Sequence, residues 1–283
     1  MKADLHMHST VSDGMLEPRE LVRAAWSLGV THMALTDHDS VEGIADARDE
    51  AVSRGMTLIA GVELSCTAGR EVHILGYGVD PFDEALLSFC REQVFEREQR
   101  AAQMVQRLSE EGKMISLARV RELAHGAMGR PHVARALVEA GYASSVDEAF
   151  VRYLVPGRCG YVPKKEIKVA KALEIIHQAG GVAVLAHPME LKMGDMALES
   201  IVREWKAQGL EGLEVYHPSA ANHQAAHLLS LARREGLLVT GGSDFHGEKV
   251  RKTHIGEGLE RWQTVGEDMR LLLKRMDERP AYE

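Results

Sequence analysis

Two histidines near the start of the chain, His6 and His8, have a spacing that suits metal binding. If the opening stretch MKADLHMHSTVSD contains a strand, alternate side chains share one face, so both imidazoles point the same way. Asp4 shares that face, apolar residues occupy the other, and Asp13 follows in a Ser-Asp-Gly turn. In a chain with 14 histidines among 283 residues, one such pair also arises by chance. The metal interpretation therefore depends on further ligands elsewhere.

Further imidazoles and carboxylates follow the other predicted strands. In a parallel α/β barrel the carboxyl ends of the strands form one face, and the site is built there. We therefore expect these groups to meet on a common rim. A single histidine at a strand end is usually structural, but so many ionisable groups together would be very costly to bury without cations. The residues are His6, His8, Asp13, His38, Glu63, His73, His187, His217, Asp244 and His246.

The number of candidate ligands exceeds the needs of one ion. Zinc takes about four ligands and octahedral manganese about six, so two or three ions are expected, with Glu63 or Asp244 as bridges. Sites of this kind hold phosphoryl oxygens and generate hydroxide near neutral pH. The pattern thus predicts metal-dependent hydrolysis, with Asp244 and Glu63 at the reacting centre.

The predicted elements alternate between strands and helices, which is typical of a parallel α/β fold. The alternation stops from about Pro81 to Pro163, where four predicted helices follow one another without a strand. We therefore predict an α/β domain formed by residues 1–80 and 164–283. Residues 81–163 are expected to form an all-helical insertion that covers the site.

Composition narrows the class of protein. The formal charge is -8, with 42 acidic against 34 basic residues, and no basic run suggests a surface for duplex DNA. Cys66, Cys90 and Cys159 form no CxxC pair, which fits a reducing compartment. No leader or membrane-spanning run is evident, so a cytoplasmic protein without a membrane partner is expected. The oligomeric state stays open.

Taken together, the motifs resemble the PHP (polymerase and histidinol phosphatase) family in the right order along the whole α/β part. The resemblance implies a distorted, TIM-like (β/α)7 barrel with a trinuclear site, usually of manganese, with iron or zinc as alternatives. The matching motifs are His6-Met7-His8-Ser9, Ser12-Asp13-Gly14, Leu35-Thr36-Asp37-His38-Asp39, Gly61-Val62-Glu63, His73-Ile74-Leu75-Gly76-Tyr77, Ala186-His187-Pro188 and Gly242-Ser243-Asp244-Phe245-His246.

The resemblance also implies how the ligands are shared. His6, His8, Glu63 and Asp244 would hold one ion. Glu63, His73 and His187 would hold a second, and Asp13, His38 and His246 would hold the third. No ligand position of the family pattern is vacant, so an inactivated copy is not indicated.

Motifs in and after the insertion resemble the stand-alone PHP subgroup, which includes 3',5'-nucleotide bisphosphate phosphatases and enzymes that act on short RNA 5' ends. The motifs are Gly129-Arg130-Pro131-His132, Gly160-Tyr161-Val162-Pro163 and the apolar run ending in Ala186-His187-Pro188. Basic side chains there are candidates for phosphate contacts, because a guanidinium matches phosphate geometry. The candidates are Arg130, His132, Arg158, Lys164 and Lys165. His217, outside the nine ligands, is a candidate proton donor and substrate contact.

The expected activity is a phosphoric monoester hydrolase that removes the 3'-phosphate of a 3',5'-bisphosphonucleotide, such as phosphoadenosine phosphate, by attack of a metal-bridging hydroxide. One alternative is 5'-3' exoribonuclease action on short RNA. Others are a metal-dependent amidohydrolase, which also opens with HxH, and a non-enzymatic metal-ordered scaffold. No lysine ends a predicted strand, and the site lacks the cysteines of a closed structural site. The sequence leaves the exact substrate and the physiological metal open.

Overall fold

The computed structural model describes residues 1–124, 128–247 and 253–279. The chain divides into two compact units, which are described separately. The first comprises Met1–Phe89 and Glu166–Glu283, and the second comprises Cys90–Lys165. The strands of the described residues lie in the first unit, whereas the second is helical.

A seven-stranded sheet forms the centre of the first unit, and its strands are neighbours in the order in which they occur along the chain. The short strands β1 and β5–β7 are almost entirely buried. The strands are β1 Ala3–Asp4, β2 His32–Leu35, β3 Thr57–Thr67, β4 Glu71–Tyr77, β5 Val182–Leu185, β6 Gly212–Tyr216 and β7 Leu238–Gly241. This confirms the α/β fold and the barrel-like arrangement expected from the sequence.

The direction of β4 differs from the expected parallel pattern. β3 and β4 form an antiparallel hairpin, and β4 is also antiparallel to β5, whereas the remaining neighbours are parallel. The reason is the short Ala68–Arg70 connection, which can join only antiparallel strands. Because β4 runs in the opposite direction to β3 and β5, its beginning lies towards the carboxyl ends of the other strands. His73, near the start of β4, can therefore reach the rim that the other candidates reach from strand ends.

Backbone hydrogen bonds also join the two outermost strands of the sheet. The amide of Leu5 donates to the carbonyl of Gly241 at 3.1 Å, and the amide of Asp244 donates to the carbonyl of His6 at 2.8 Å. The amide of His8 donates to the carbonyl of Phe245 at 2.9 Å. The barrel is therefore nearly closed, and closure brings the HxH segment against the segment that follows β7.

Helices connect most of the strands and bury their apolar faces. Pro18 begins α1, where proline suits the first helical turn. The helices are α1 Pro18–Ser27, α2 Ile44–Ser53, α3 Glu84–Glu110, α4 Leu117–Ala124, α5 Arg130–Glu139, α6 Val146–Ala149, α7 Val169–Gln178, α8 Asp195–Ala207, α9 Asn222–Glu235 and α10 Val265–Asp277. Within the described part of the chain, no helix is long and apolar enough to cross a membrane.

The second unit has a hydrophobic core of its own. The side chains of Met104 and Leu108 on α3 are buried together with those of Val133 and Leu137 on α5. Helix α6 is followed by a π-helical turn over Phe150–Leu154, which adds Leu154 to this core. The run of helices without a strand that the sequence predicted is present in the residues described there.

Gly242 offers a test of barrel closure. A Cβ at this position would lie 2.2 Å from the Cβ of His6 and 2.5 Å from its backbone nitrogen. We expect Gly242→Ala to lower the free energy of unfolding by about 1–3 kcal/mol or more, as overpacking does, measured by chemical denaturation. Gly266→Ala is the matched control, because its Cβ meets nothing within 4 Å and alanine favours the α10 helix. Equal effects of the two substitutions would contradict the close contact between Gly242 and His6.

Candidate metal centre

The HxH segment lies at the centre of the rim. The strand there is shorter than predicted, because β1 covers only Ala3–Asp4, but Met7 still pairs with Phe245 in an isolated bridge. Alternation therefore continues past the strand, and His6 and His8 are both fully buried. Their rings are tilted, with centroids 5.1 Å apart.

A first cluster combines these two histidines with Glu63 from β3 and Asp244 from the segment after β7. Oε2 of Glu63 lies 3.2 Å from Nε2 of His6 and 3.2 Å from Nε2 of His8. Oδ1 of Asp244 lies 3.4 Å and 3.2 Å from the same two nitrogens. All four side chains are buried. Two imidazoles and two carboxylates at these distances could hold one transition metal ion.

The other carboxylate oxygen of Glu63 faces a second group of histidines. Oε1 of Glu63 lies 2.9 Å from Nδ1 of His73 and 3.0 Å from Nε2 of His187. The two rings meet edge to face, with Nδ1 of His73 3.2 Å from Nε2 of His187. Glu63 can therefore bridge two ions, one through each oxygen.

A third cluster forms around Asp13. Oδ1 of Asp13 lies 3.1 Å from Nε2 of His246, and Oδ2 lies 4.0 Å from Nε2 of His38. His8 also belongs to this cluster, with Nδ1 3.9 Å from Oδ1 of Asp13. The clusters thus adjoin one another, which is the arrangement that a multinuclear site requires.

The donor set fits cations better than it fits an internal hydrogen-bond network. Several buried ring nitrogens and one carboxylate oxygen have no hydrogen-bond partner among the described residues, although oppositely charged groups lie close by. Such orphaned groups are costly in a protein interior. Their proximity to one another is consistent with a multinuclear metal site. The atoms at the clusters are Nε2 of His6, both nitrogens of His8, Nδ1 of His38, Oε2 of Glu63, Nε2 of His217 and Nε2 of His246.

The charges at the rim also favour the binding of metal ions. Burial lowers the pKa of His38 to about 4, which keeps the ring in the neutral form that binds metals. Burial also opposes protonation of His8, but the negative charges of Asp244 and Glu63, each 3.2 Å from its Nε2, raise its pKa to about 9. Since a bound cation must displace that proton, the carboxylates that attract protons here would equally attract metal ions.

Two buried aspartates near the rim hold loops rather than joining the clusters. Asp37 accepts hydrogen bonds from the amide and hydroxyl of Ser9 and from the hydroxyl of Ser12, at 2.6–2.7 Å. Asp4 accepts from the amide and hydroxyl of Ser243 at 2.9 and 2.7 Å. Asp4 shares the HxH face in the sequence, but the structure uses it to tie β1 to the loop that carries Asp244.

His217, the predicted proton donor, lies beside the first cluster. Its Nε2 is 3.6 Å from Oδ2 of Asp244, and Glu190 completes a further group of three possible ligands. The amide of Ser219 donates to Nδ1 of His217 at 3.0 Å, so the neutral ring carries its hydrogen on Nε2. A metal at Nε2 would require that hydrogen on Nδ1, where it would oppose the Ser219 amide. This geometry favours His217 as a hydrogen-bond donor rather than a metal ligand.

The model of the PHP domain family matches residues 4–178 of the sequence. The chain belongs to the PHP family. A 5'-3' exoribonuclease from Haemophilus influenzae is 37% identical over 246 residues, covering 87% of this chain and 90% of that protein. A 3',5'-nucleoside bisphosphate phosphatase from Chromobacterium violaceum is 36% identical over 268 residues, covering 90% of this chain and 92% of that protein.

A solved structure supports the same relationship at the level of the PHP fold. The chain is similar, with a TM-score of 0.81 and 36% sequence identity, to a Chromobacterium violaceum protein described as an amidohydrolase with bound sulfate and no metal. The match covers 90% of this chain and 91% of that one. This PHP protein is therefore a hydrolase of the family, and its buried clusters are consistent with a multinuclear metal site.

Sequence reasoning missed one residue of this PHP site, Glu214 on β6. Its side chain is fully buried, with Oε1 3.0 Å from Nδ1 of His6. Burial alone would raise the pKa of Glu214, but the neighbouring His6 and His217 lower it below the usual value. A charged residue within the otherwise apolar strand GLEVY was the signal that could have revealed it.

The predicted phosphate contacts all lie in the second unit. Arg130 begins α5, and its guanidinium carbon lies 5.7 Å from the ring centre of Phe150. Nδ1 of His132 accepts a hydrogen bond from the amide of Gly129 at 3.0 Å, so this histidine caps α5. Arg158 is exposed and Lys164 is half-buried. Lys165, in contrast, is engaged by Glu92 and Glu96 at 2.9 and 3.0 Å.

We expect elemental analysis of the gently purified protein to find about two to three divalent transition metal ions per chain. Asp244→Asn should lower that content and abolish turnover, because it removes the charge of a carboxylate shared by His6 and His8 with little change of shape. Glu50→Gln is the control, since Glu50 pairs with Arg23 and Arg54 and belongs to none of the clusters. One ion or fewer at full activity would contradict the multinuclear site.

Proposed function

We propose that this PHP protein is a metal-dependent phosphatase that removes the 3'-phosphate from 3',5'-bisphosphonucleotides such as phosphoadenosine phosphate. The observation that carries the proposal is the adjoining set of buried clusters, in which Glu63 and His8 are each shared between two groups of ligands. Closely spaced cations of this kind suit an ester whose reacting group carries several negative oxygens.

In the proposed reaction, His6, His8, Glu63 and Asp244 would hold one ion, Glu63, His73 and His187 would hold a second, and Asp13, His38 and His246 would hold a third. Manganese is our first choice of metal, with iron or zinc as alternatives. Such ions, when bound, activate water as the nucleophile and neutralise the phosphoryl oxygens.

In this proposal the side chains donate a proton, position the loops and exclude water. The Nε2 hydrogen of His217, whose orientation Ser219 fixes, is placed to be donated to the leaving oxygen. Asp37 and Asp4 keep the loops of the rim in place. The buried rim also limits access of bulk water, which strengthens every electrostatic interaction within it.

We propose that basic groups of the helical unit hold the second phosphate of the substrate. Arg130 is the principal candidate, and His132, Arg158 and Lys164 are weaker ones. A guanidinium can contact two phosphate oxygens at once. Such binding away from the reacting bond orients the substrate and can raise kcat as well as lower KM.

The second candidate function is stepwise removal of nucleotides from short RNA 5' ends, because the Haemophilus influenzae relative bears that activity in its name at nearly the same identity as the phosphatase. The composition argues against a long nucleic-acid substrate, because the chain has a net charge of -8 and contains only 5% aromatic residues. Proteins that bind long single strands usually combine a basic groove with aromatic stacking. The substrate we favour is therefore a small nucleotide.

The substrate is tested by comparing kcat/KM for four compounds, each with the same metal-loaded preparation. These are a 3',5'-bisphosphonucleotide, the 3'-monophosphate, the 5'-monophosphate and a short 5'-phosphorylated oligoribonucleotide. We expect the bisphosphonucleotide to be preferred, because it alone offers both a reacting phosphate and a second anionic group on a small molecule.

Preference for the 5'-monophosphate would overturn the proposal. Preference for the oligoribonucleotide would replace it with the exoribonuclease. An amide substrate, run as a fifth arm, tests the amidohydrolase alternative.

Arg130→Ala is expected to lower kcat/KM for the bisphosphonucleotide by ~10²-fold or more, as for loss of a charge-assisted contact worth ~3 kcal/mol. Because the contact is to the second phosphate, the loss should be much smaller for a monophosphate. Arg119→Ala is the matched control in the same unit, since Arg119 is exposed and pairs with Glu122 and Glu139. Equal losses with mono- and bisphosphate substrates would remove Arg130 from this role.

A further inference from the structure

Glu214 is a buried carboxylate that belongs to none of the ligand clusters. It lies in the middle of β6, its side chain is fully buried, and the residues around it in the strand are also buried. An ionised group in such a place is costly unless each oxygen is satisfied. The two contacts of Glu214 show what it does there.

One oxygen of Glu214 determines which nitrogen of His6 carries hydrogen. Oε1 lies 3.0 Å from Nδ1 of His6, and a carboxylate can only accept a hydrogen bond, so Nδ1 is the protonated nitrogen. The lone pair of His6 is thereby left on Nε2, the atom that faces Glu63 at 3.2 Å and Asp244 at 3.4 Å.

The other oxygen of Glu214 fixes the backbone at His187, after β5. Oε2 accepts the amide hydrogen of His187 at 2.7 Å. His187 has a φ of 28°, a left-handed conformation that a residue with a side chain adopts only where its surroundings impose it. In this conformation Nε2 of His187 lies 3.0 Å from Glu63.

We propose that Glu214 is the positioning residue that aligns His6 and His187 for metal binding, one through its ring and the other through its backbone. The inference rests on the proposed metal-dependent function, because it concerns ligands of that centre. Glu214 acts through the two histidines, which lie in different segments of the chain and face the same carboxylate, Glu63. Partners of this kind orient ligands, and their loss typically costs ~10–100-fold in metal affinity.

The test measures the affinity of the metal-stripped protein for Mn²⁺ or Zn²⁺ by competition with a coloured chelator, without substrate. Glu214→Gln preserves shape, but its amide has one acceptor oxygen, so either His6 or His187 faces an NH₂ group instead. We expect an affinity ~10–100-fold weaker than wild type. The absorption spectrum of the Co²⁺-loaded variant should also change, because the spectrum reports ligand geometry.

Asp268→Asn is the matched control. Asp268 is another buried carboxylate of the first unit, and it accepts hydrogen bonds from Trp262 and Thr264 at 2.8 and 2.6 Å, away from the clusters. We expect this control to lower the free energy of unfolding and to leave metal affinity unchanged. If Glu214 has only a structural role, Glu214→Gln will behave in the same way, and the inference is overturned.

Glu214→Asp covers the case in which Glu214→Gln does not fold. It keeps the charge and both acceptor oxygens but is one methylene shorter, so it cannot reach both partners at the observed distances. Wild-type affinity in the aspartate variant would also overturn the inference. A wild-type protein that binds the ions but hydrolyses no phosphoester would refute the proposed function alone, so the two failures are distinguishable.

Discussion

The feature on which the rest of the structure depends is the burial of imidazoles and carboxylates side by side in clusters that are consistent with a multinuclear metal site. Glu63 is fully buried with histidines against both of its oxygens, and several nearby ring nitrogens have no hydrogen-bond partner among the described residues. In a protein interior such groups lose hydration, and this cost is large unless each is paired or binds a cation. The rest of the first unit can be understood as the framework that makes this arrangement tolerable.

That framework relies on closure of the sheet and on buried carboxylates that do not themselves join the clusters. The backbone bonds between the HxH segment and the residues after β7 bring His6 beside Asp244. Asp4 and Asp37 bind loop amides and hydroxyls, and Glu214 contacts both His6 and a strained His187. Each of these carboxylates converts a flexible segment into a fixed one, which is what a metal site of defined geometry requires.

The sequence by itself was enough to identify the family, the α/β fold, the run of helices within it and the residue types of the candidate centre. These features are local or periodic: HxH spacing, glycine and proline at element ends, and one polar group after each apolar strand. Because strand ends gather on one rim of a barrel, His38, His187 and Asp244 could be assigned to a common site before the structure was known.

Only the tertiary structure decided which atoms face one another. The short connection after β3 reverses β4, but only pairing of β4 with the distant strand β5 places the start of β4, with His73, at the rim. The roles of Glu214 and Asp4 depend on partners at sequence separations of 208 and 239 residues, and no local pattern encodes such distances. The surroundings of His217 depend on the amide and the hydroxyl of Ser219, which lie 3.0 and 2.7 Å from its Nδ1. The residue types of the site could therefore be predicted from the sequence. The contacts between these residues, the tautomers of the histidines and the strained backbone of His187 arise only when the barrel closes.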